Sequence, residues 1–136
     1  MKKYINILIL ILWLSFIFLM SSFNGNSSND QSGSIVTFIS NILNIDNLEF
    51  LSLLIRKLAH FTEYFILGIL TINCFKDYKF NNIFIYSLLF CIFYACTDEV
   101  HQLFVPGRSG NIIDVLIDSV GSIFGCGSYF IFIKKK

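Results

Sequence analysis

Apolar residues run along this chain in long blocks that are interrupted at only a few places. Tyr4 to Phe23 contains no charged residue, and Phe80 to Thr97 contains none either. Leu58 to Phe75 is broken mainly by His60, Glu63 and Asn73, and Ile112 to Ile133 carries charge only at Asp114 and Asp118. A helix needs about 20 apolar residues to cross the hydrocarbon core of a bilayer. The pattern therefore predicts an all-α integral membrane protein, one domain over residues 1–136 with about four transmembrane helices near 4–23, 58–75, 80–97 and 112–133.

Between the first two blocks, residues 24–55 read as an extracytoplasmic loop. It opens with the polar stretch Asn24 to Ser34 and continues into a moderately apolar segment. Ile35, Phe38, Ile39 and Ile42 recur at helical spacing, which predicts an interfacial helical segment, a helix pair lying on the outer leaflet. The first block follows Lys2 and Lys3 like a signal peptide. It is longer than a typical signal core of about 7–15 residues and no A-x-A site follows it, although Ser21 and Ser22 are small, so it reads as an uncleaved anchor.

Composition agrees with this reading: 55% of residues are hydrophobic and 14% charged, against roughly 25% charged in soluble domains. A net charge of +1 gives no case for a nucleic-acid partner; the partner implied is the lipid bilayer. Cytoplasmic loops collect Lys and Arg. With the N-terminus inside, Lys2, Lys3, Lys76, Lys79, Lys134, Lys135 and Lys136 lie in the cytoplasm, seven of the ten basic residues. Arg56, Lys57 and Arg108 lie outside, so an N-in, C-in arrangement is expected. The location expected is a cytoplasmic membrane, crossed several times, with the polar cluster on its extracytoplasmic side. Cys74, Cys91, Cys96 and Cys126 show no C-x-x-C spacing and read as small buried hydrophobes rather than a disulfide or metal cluster.

With that topology, most remaining ionisable groups fall at the outer ends of spans two, three and four. They lie in three segments: Arg56 to Tyr64, Thr97 to Arg108, and Ser109 to Gly121. On a helix, Lys57, His60 and Tyr64 share one face with Glu63 beside them. Asn111, Asp114 and Asp118 line one face of the fourth span, and Gly121 and Gly125 extend that stripe as a small-xxx-small pair where another helix packs closely. An ionised residue at the centre of a membrane helix costs about 2.5–3.5 kcal/mol and is a functional candidate. A carboxylate–guanidinium pair such as Asp114 with Arg108 would offset that cost. Val105-Pro106-Gly107-Arg108 has the form of a type II turn that aims Arg108 back at the membrane as a phosphate or carboxylate receptor.

These groups also admit plainer readings, in which buried charges pair to fix helix register and Arg108 anchors a loop. No metal site is expected, because no H-E-x-x-H or comparable pair occurs, and no cofactor is implied. No G-x-S-x-G elbow marks a nucleophile.

The segment Lys57-Leu58-Ala59-His60-Phe61-Thr62-Glu63-Tyr64-Phe65-Ile66-Leu67-Gly68 resembles the K-x-x-H-F-x-E-Y-x-x-L-G signature of the VanZ-like membrane protein family. Asp98-Glu99-Val100-His101-Gln102-Leu103-Phe104-Val105-Pro106-Gly107-Arg108-Ser109-Gly110 resembles its D-E-x-H-Q-x-F-x-P-G-R-x-G, and Asp114 to Gly121 its D-x-x-x-D-x-x-G. The resemblance covers essentially the whole chain. It implies a cell-envelope protein that modulates susceptibility to teicoplanin-type lipoglycopeptides. Two functions are then expected as alternatives. In the first, an outer-leaflet polar site binds an anionic lipid or a lipid-linked cell-wall precursor headgroup. Its residues are Arg56, Lys57, His60, Glu63, Tyr64, Asp98, Glu99, Gln102, Arg108, Asn111, Asp114 and Asp118. In the second, an intramembrane enzyme modifies a lipid or lipid-linked envelope component, with Asp98 or Glu99 as general base and His60 or His101 as proton shuttle.

Overall fold

The computed structural model describes residues 2–23, 25–44, 46–78, 80–129 and 131. Among these, the chain forms five α-helices and no strand: α1 (Lys2–Ser22), α2 (Gly25–Leu43), α3 (Leu48–Phe75), α4 (Ile83–Gln102) and α5 (Ile112–Ser128). A 3₁₀ turn, Lys76–Tyr78, follows α3. Three stretches are long and apolar enough to cross a membrane: α1, α3 with its following turn, and α4. The fourth expected span begins as α5 at Ile112; Phe130, Phe132 and Ile133 of that expectation, with Lys79 and Lys134 to Lys136, lie outside the described residues.

Asparagines set where three of the helices begin. Asn47, Asn82 and Asn111 each accept a backbone N–H through Oδ1, from Phe50 at 3.0 Å, Ile85 at 3.3 Å and Ile113 at 3.0 Å. Each satisfies one of the donors that a helix start leaves unpaired.

Two elements differ from the sequence expectation. The segment after α1 is one helix from Gly25 rather than a polar loop leading into a helix pair. Its second half packs Val36 and Ser40 inward while Ile35, Phe38 and Ile42 face outward. Once that half is anchored, extending the helix back through Asn and Ser costs far less than starting a new one. The next helix starts at Leu48 instead of Leu58. At about 1.5 Å per residue its 28 residues span about 42 Å, longer than a hydrocarbon core of about 30 Å. Arg56 and Lys57 thus lie within the helix, between two and three turns past its cap at Asn47.

Helix α3 is the hub, touching α1, α2, α4 and α5, and its contact with α5 is the most extensive. Bilayers supply no hydrophobic force between helices, so close backbone approach has to hold them. A Cβ on Gly121 would stand 2.5 Å from the Phe61 carbonyl oxygen, one on Gly125 would strike that of Phe65, and one on Gly68 would lie 2.7 Å from that of Ser122. The Ser122 hydroxyl adds a bond to the Tyr64 carbonyl at 3.5 Å. Around this seam Leu10, Ile17, Tyr64, Leu67, Cys74, Cys91 and Ala95 form the buried core. All four cysteines are free thiols; Cys74, Cys91 and Cys126 are buried as expected, whereas Cys96 is exposed.

The ends of the bundle are distinct. At one, Asn6 donates to the Asn73 carbonyl at 3.2 Å and to Asp77 at 3.1 Å, and the Lys3 ammonium sits 3.8 Å over the Tyr78 ring. Lys2, Lys3 and Lys76 therefore gather together. The three polar segments meet at the opposite end.

Candidate functional site

Helix α4 ends on a sharp corner. The Arg108 N–H donates to the Val105 carbonyl at 3.1 Å and Gly107 has φ 75°, the left-handed conformation that a type II turn requires of its third residue. The turn returns the chain so that Asn111 starts α5 beside the last turn of α4. Glu99 receives it: its Oε2 accepts the Asn111 N–H at 2.7 Å, placing a carboxylate against the positive end of α5. Gln102 Nε2 donates to Asp98 Oδ2 at 3.3 Å and to Glu99 Oε1 at 3.4 Å. Asp98, Glu99 and Gln102 are all buried, as their shared helical face requires.

His60 from α3 and Asp118 from α5 meet across the helix seam, Nδ1 to Oδ1 at 3.4 Å. Asp118 is fully buried and His60 8% exposed. Neither oxygen of Asp118 has a hydrogen-bond partner among the described residues; nor does His60 Nδ1, Asp98 Oδ1 or the buried Tyr64 hydroxyl. One helical turn closer to the bundle end, Lys57 forms an ion pair with Asp114. Lys57 thus takes the place that sequence reasoning offered to Arg108.

Arg108 turns toward α1. Its Nε donates to the Phe23 carbonyl at 2.9 Å and its Nη2 to that of Met20 at 3.2 Å, so it satisfies carbonyls that the end of α1 leaves open. Burial, then the neighbouring Arg56 charge, lowers the Arg108 pKa, against the pull of Asp98, Glu63 and Glu99. Arginine stays protonated regardless.

His101 departs from the cluster. It stacks on Phe18, ring centroids 4.5 Å apart, and its Nδ1 lies 3.5 Å from the Ser21 hydroxyl. His101 thus faces α1 and reaches the cluster only through Ser21, whereas His60 sits among the carboxylates. Glu63 shows its side chain to a cleft and lends its carbonyl to the Trp13 indole N–H at 3.1 Å.

Two of the clefts on this end carry the arginines. One, about 220 Å³, has a mainly apolar wall of Met20, Ile35, Ile55 and Ala59, with Arg56, His60, Glu63, Asp98 and Arg108 as its charged and titratable groups. The other, about 150 Å³, is bounded by Arg56, Lys57, His60, Gln102, Arg108, Asn111 and Asp114. Arg56, His60 and Arg108 border both. Of the twelve binding candidates, eleven line these clefts or join the buried network beneath them, and Tyr64 is fully buried one helical turn beyond His60. Sequence reasoning missed the contribution of α1 and α2: Met20, Ser21 and Ile35 form cleft wall, and Phe23 anchors Arg108. The only signal in α1 was the smallness of Ser21, taken there as a hint of a processing site.

Compared with known proteins, residues 6–133 match the family model described as VanZ/LLP1. No curated protein and no solved structure matches the chain.

Proposed function

We propose, from the fact that this chain belongs to the VanZ/LLP1 family, that it is a multi-pass envelope protein that binds an anionic headgroup. The headgroup belongs to a lipid or a lipid-linked cell-wall precursor, and binding it lowers susceptibility to teicoplanin-type lipoglycopeptides. One observation carries the reading. The larger cleft joins an apolar wall to two guanidinium-bearing side chains, Arg56 and Arg108, at one end of a membrane bundle. That is the chemistry of an amphiphile with a negatively charged head, since arginine recognises phosphate and carboxylate. The separation of Lys2, Lys3 and Lys76 from this end supports an orientation in which the cleft faces outward and both termini face the cytoplasm.

The buried pairing of His60 with Asp118, and an Asp98 that lines the cleft, favour a second reading: an enzyme acting on the same headgroup. Asp98 would serve as base there, because Glu99 is already engaged by Asn111.

The test is teicoplanin and vancomycin susceptibility of a sensitive Gram-positive host expressing the wild type, Arg108→Ala or Asp98→Asn at matched membrane levels. Protection against teicoplanin that weakens by degrees in both variants supports binding. Loss of all protection in Asp98→Asn, with tight headgroup binding retained, supports the enzyme. Absence of protection from well-expressed wild type removes the lipoglycopeptide role.

A further inference from the structure

Beneath the clefts, one imidazole and two carboxylates converge from three helices. His60 from α3, Glu99 from α4 and Asp118 from α5 each present one ligand atom, and those atoms lie within 4.8 Å of one another. We propose that these three residues bind a single divalent transition-metal ion of the Zn²⁺ or Mn²⁺ class. The assignment does not depend on what the clefts bind.

Two further observations point to an ion rather than to a set of mutual hydrogen bonds. Asp118 is wholly buried, yet neither of its oxygens has a hydrogen-bond partner among the described residues, and neither does His60 Nδ1. Burying a carboxylate in that state costs several kcal/mol, and a dication held between Asp118 and His60 would offset it on both side chains at once. The separation of His60 Nδ1 from Asp118 Oδ1 is 3.4 Å. With bonds of about 2.0–2.1 Å in tetrahedral geometry, neighbouring ligands stand about 3.4 Å apart.

The donor set selects the ion. Mg²⁺ and Ca²⁺ take oxygen ligands, while a nitrogen beside two carboxylates suits zinc and its first-row neighbours. Metal-binding residues are ordinarily held by outer partners, and Glu99 has two: the Asn111 N–H at 2.7 Å and Gln102 Nε2 at 3.4 Å. Three protein ligands also leave a coordination position open, and His60 borders both clefts. A bound anion could reach the ion from there.

The experiment uses the full chain without a polyhistidine tag, purified in mild detergent, stripped with chelator and titrated with ZnCl₂ and MnCl₂. Bound metal per chain and the shift in melting temperature are read together, and Co²⁺ absorption reports nitrogen coordination. The expected result is one ion per chain and a raised melting temperature. Affinity should fall by about 100-fold or more in His60→Gln, Glu99→Gln and Asp118→Asn, since even outer-shell changes cost about 10–100-fold. Asp77→Asn, at the opposite end, should bind as the wild type does. Asp118→Asn keeps the size and shape of the side chain while removing its charge, and the melting temperature of each metal-free variant, read beside that of the metal-free wild type, separates loss of binding from loss of fold. A wild type that binds no ion, or three variants that bind as tightly as the wild type, overturns the proposal; in the first case the cluster is held by protons alone.

Discussion

Adding one methyl group to α5 should loosen the whole bundle, and the structure says by how much and in what pattern. A Cβ at Gly121 would meet the Phe61 carbonyl oxygen at 2.5 Å, and one at Gly125 would meet that of Phe65 closer still. Carbon and carbonyl oxygen ordinarily approach to about 3.3–3.6 Å, so α5 must retreat from α3 by roughly 1 Å at Gly121 and by more at Gly125. Overpacking of this kind costs about 1–3 kcal/mol. The two substitutions push the same helix in the same direction. Once Gly125→Ala has opened the seam, Gly121→Ala has little left to displace, and the double variant should fall short of the sum by about 0.5–3 kcal/mol. Gly127 is the internal control, because a Cβ there meets nothing within 4 Å. Gly127→Ala should stabilise by up to about 1 kcal/mol through helix propensity. The assay is SDS titration in mild detergent followed by far-UV circular dichroism. Equal behaviour of Gly125→Ala and Gly127→Ala, or strict additivity of Gly121→Ala with Gly125→Ala, would refute the close-approach account. Asp118 lies one helical turn from Gly121, so a retreating α5 also carries it away from His60.

Two other outcomes follow from the same geometry. Lys57→Met leaves the buried Asp114 without its partner and should lower stability by about 1–3 kcal/mol; Lys57→Met with Asp114→Asn should recover most of that loss in the same titration. Reporter fusions check the orientation: fusion after Lys136 should give fluorescent green protein and inactive alkaline phosphatase, and fusion in the 103–111 turn should give the reverse.

Much of the site was legible in the chain because helical spacing alone places Lys57, His60 and Tyr64 on one face and Asn111, Asp114 and Asp118 on another. The Pro106-Gly107 corner and the Gly121, Gly125 stripe were legible for the same local reason: a positive φ and a close backbone approach each demand a particular residue. Pairing across helices was not. Lys57 rather than Arg108 meets Asp114, and His101 stacks on Phe18, because those choices depend on how α1, α3 and α5 register against one another. The start of α3 was misplaced because Arg56 and Lys57 look like flanking charges until Asn47 is seen to cap the helix between two and three turns earlier. The helical run through Asn and Ser after α1 was missed because its anchor, Val36 and Ser40 against the bundle, lies further along the chain.

The chain holds a single tryptophan, Trp13, and its indole N–H is tied to the Glu63 carbonyl where α1 meets α3. Tryptophan emission therefore watches one docking event, while circular dichroism watches all five helices. If α1 detaches before the rest melts, the two signals separate along the same titration, and unfolding is not two-state. The protein carries its own optical gauge for the helix that Arg108 holds in place.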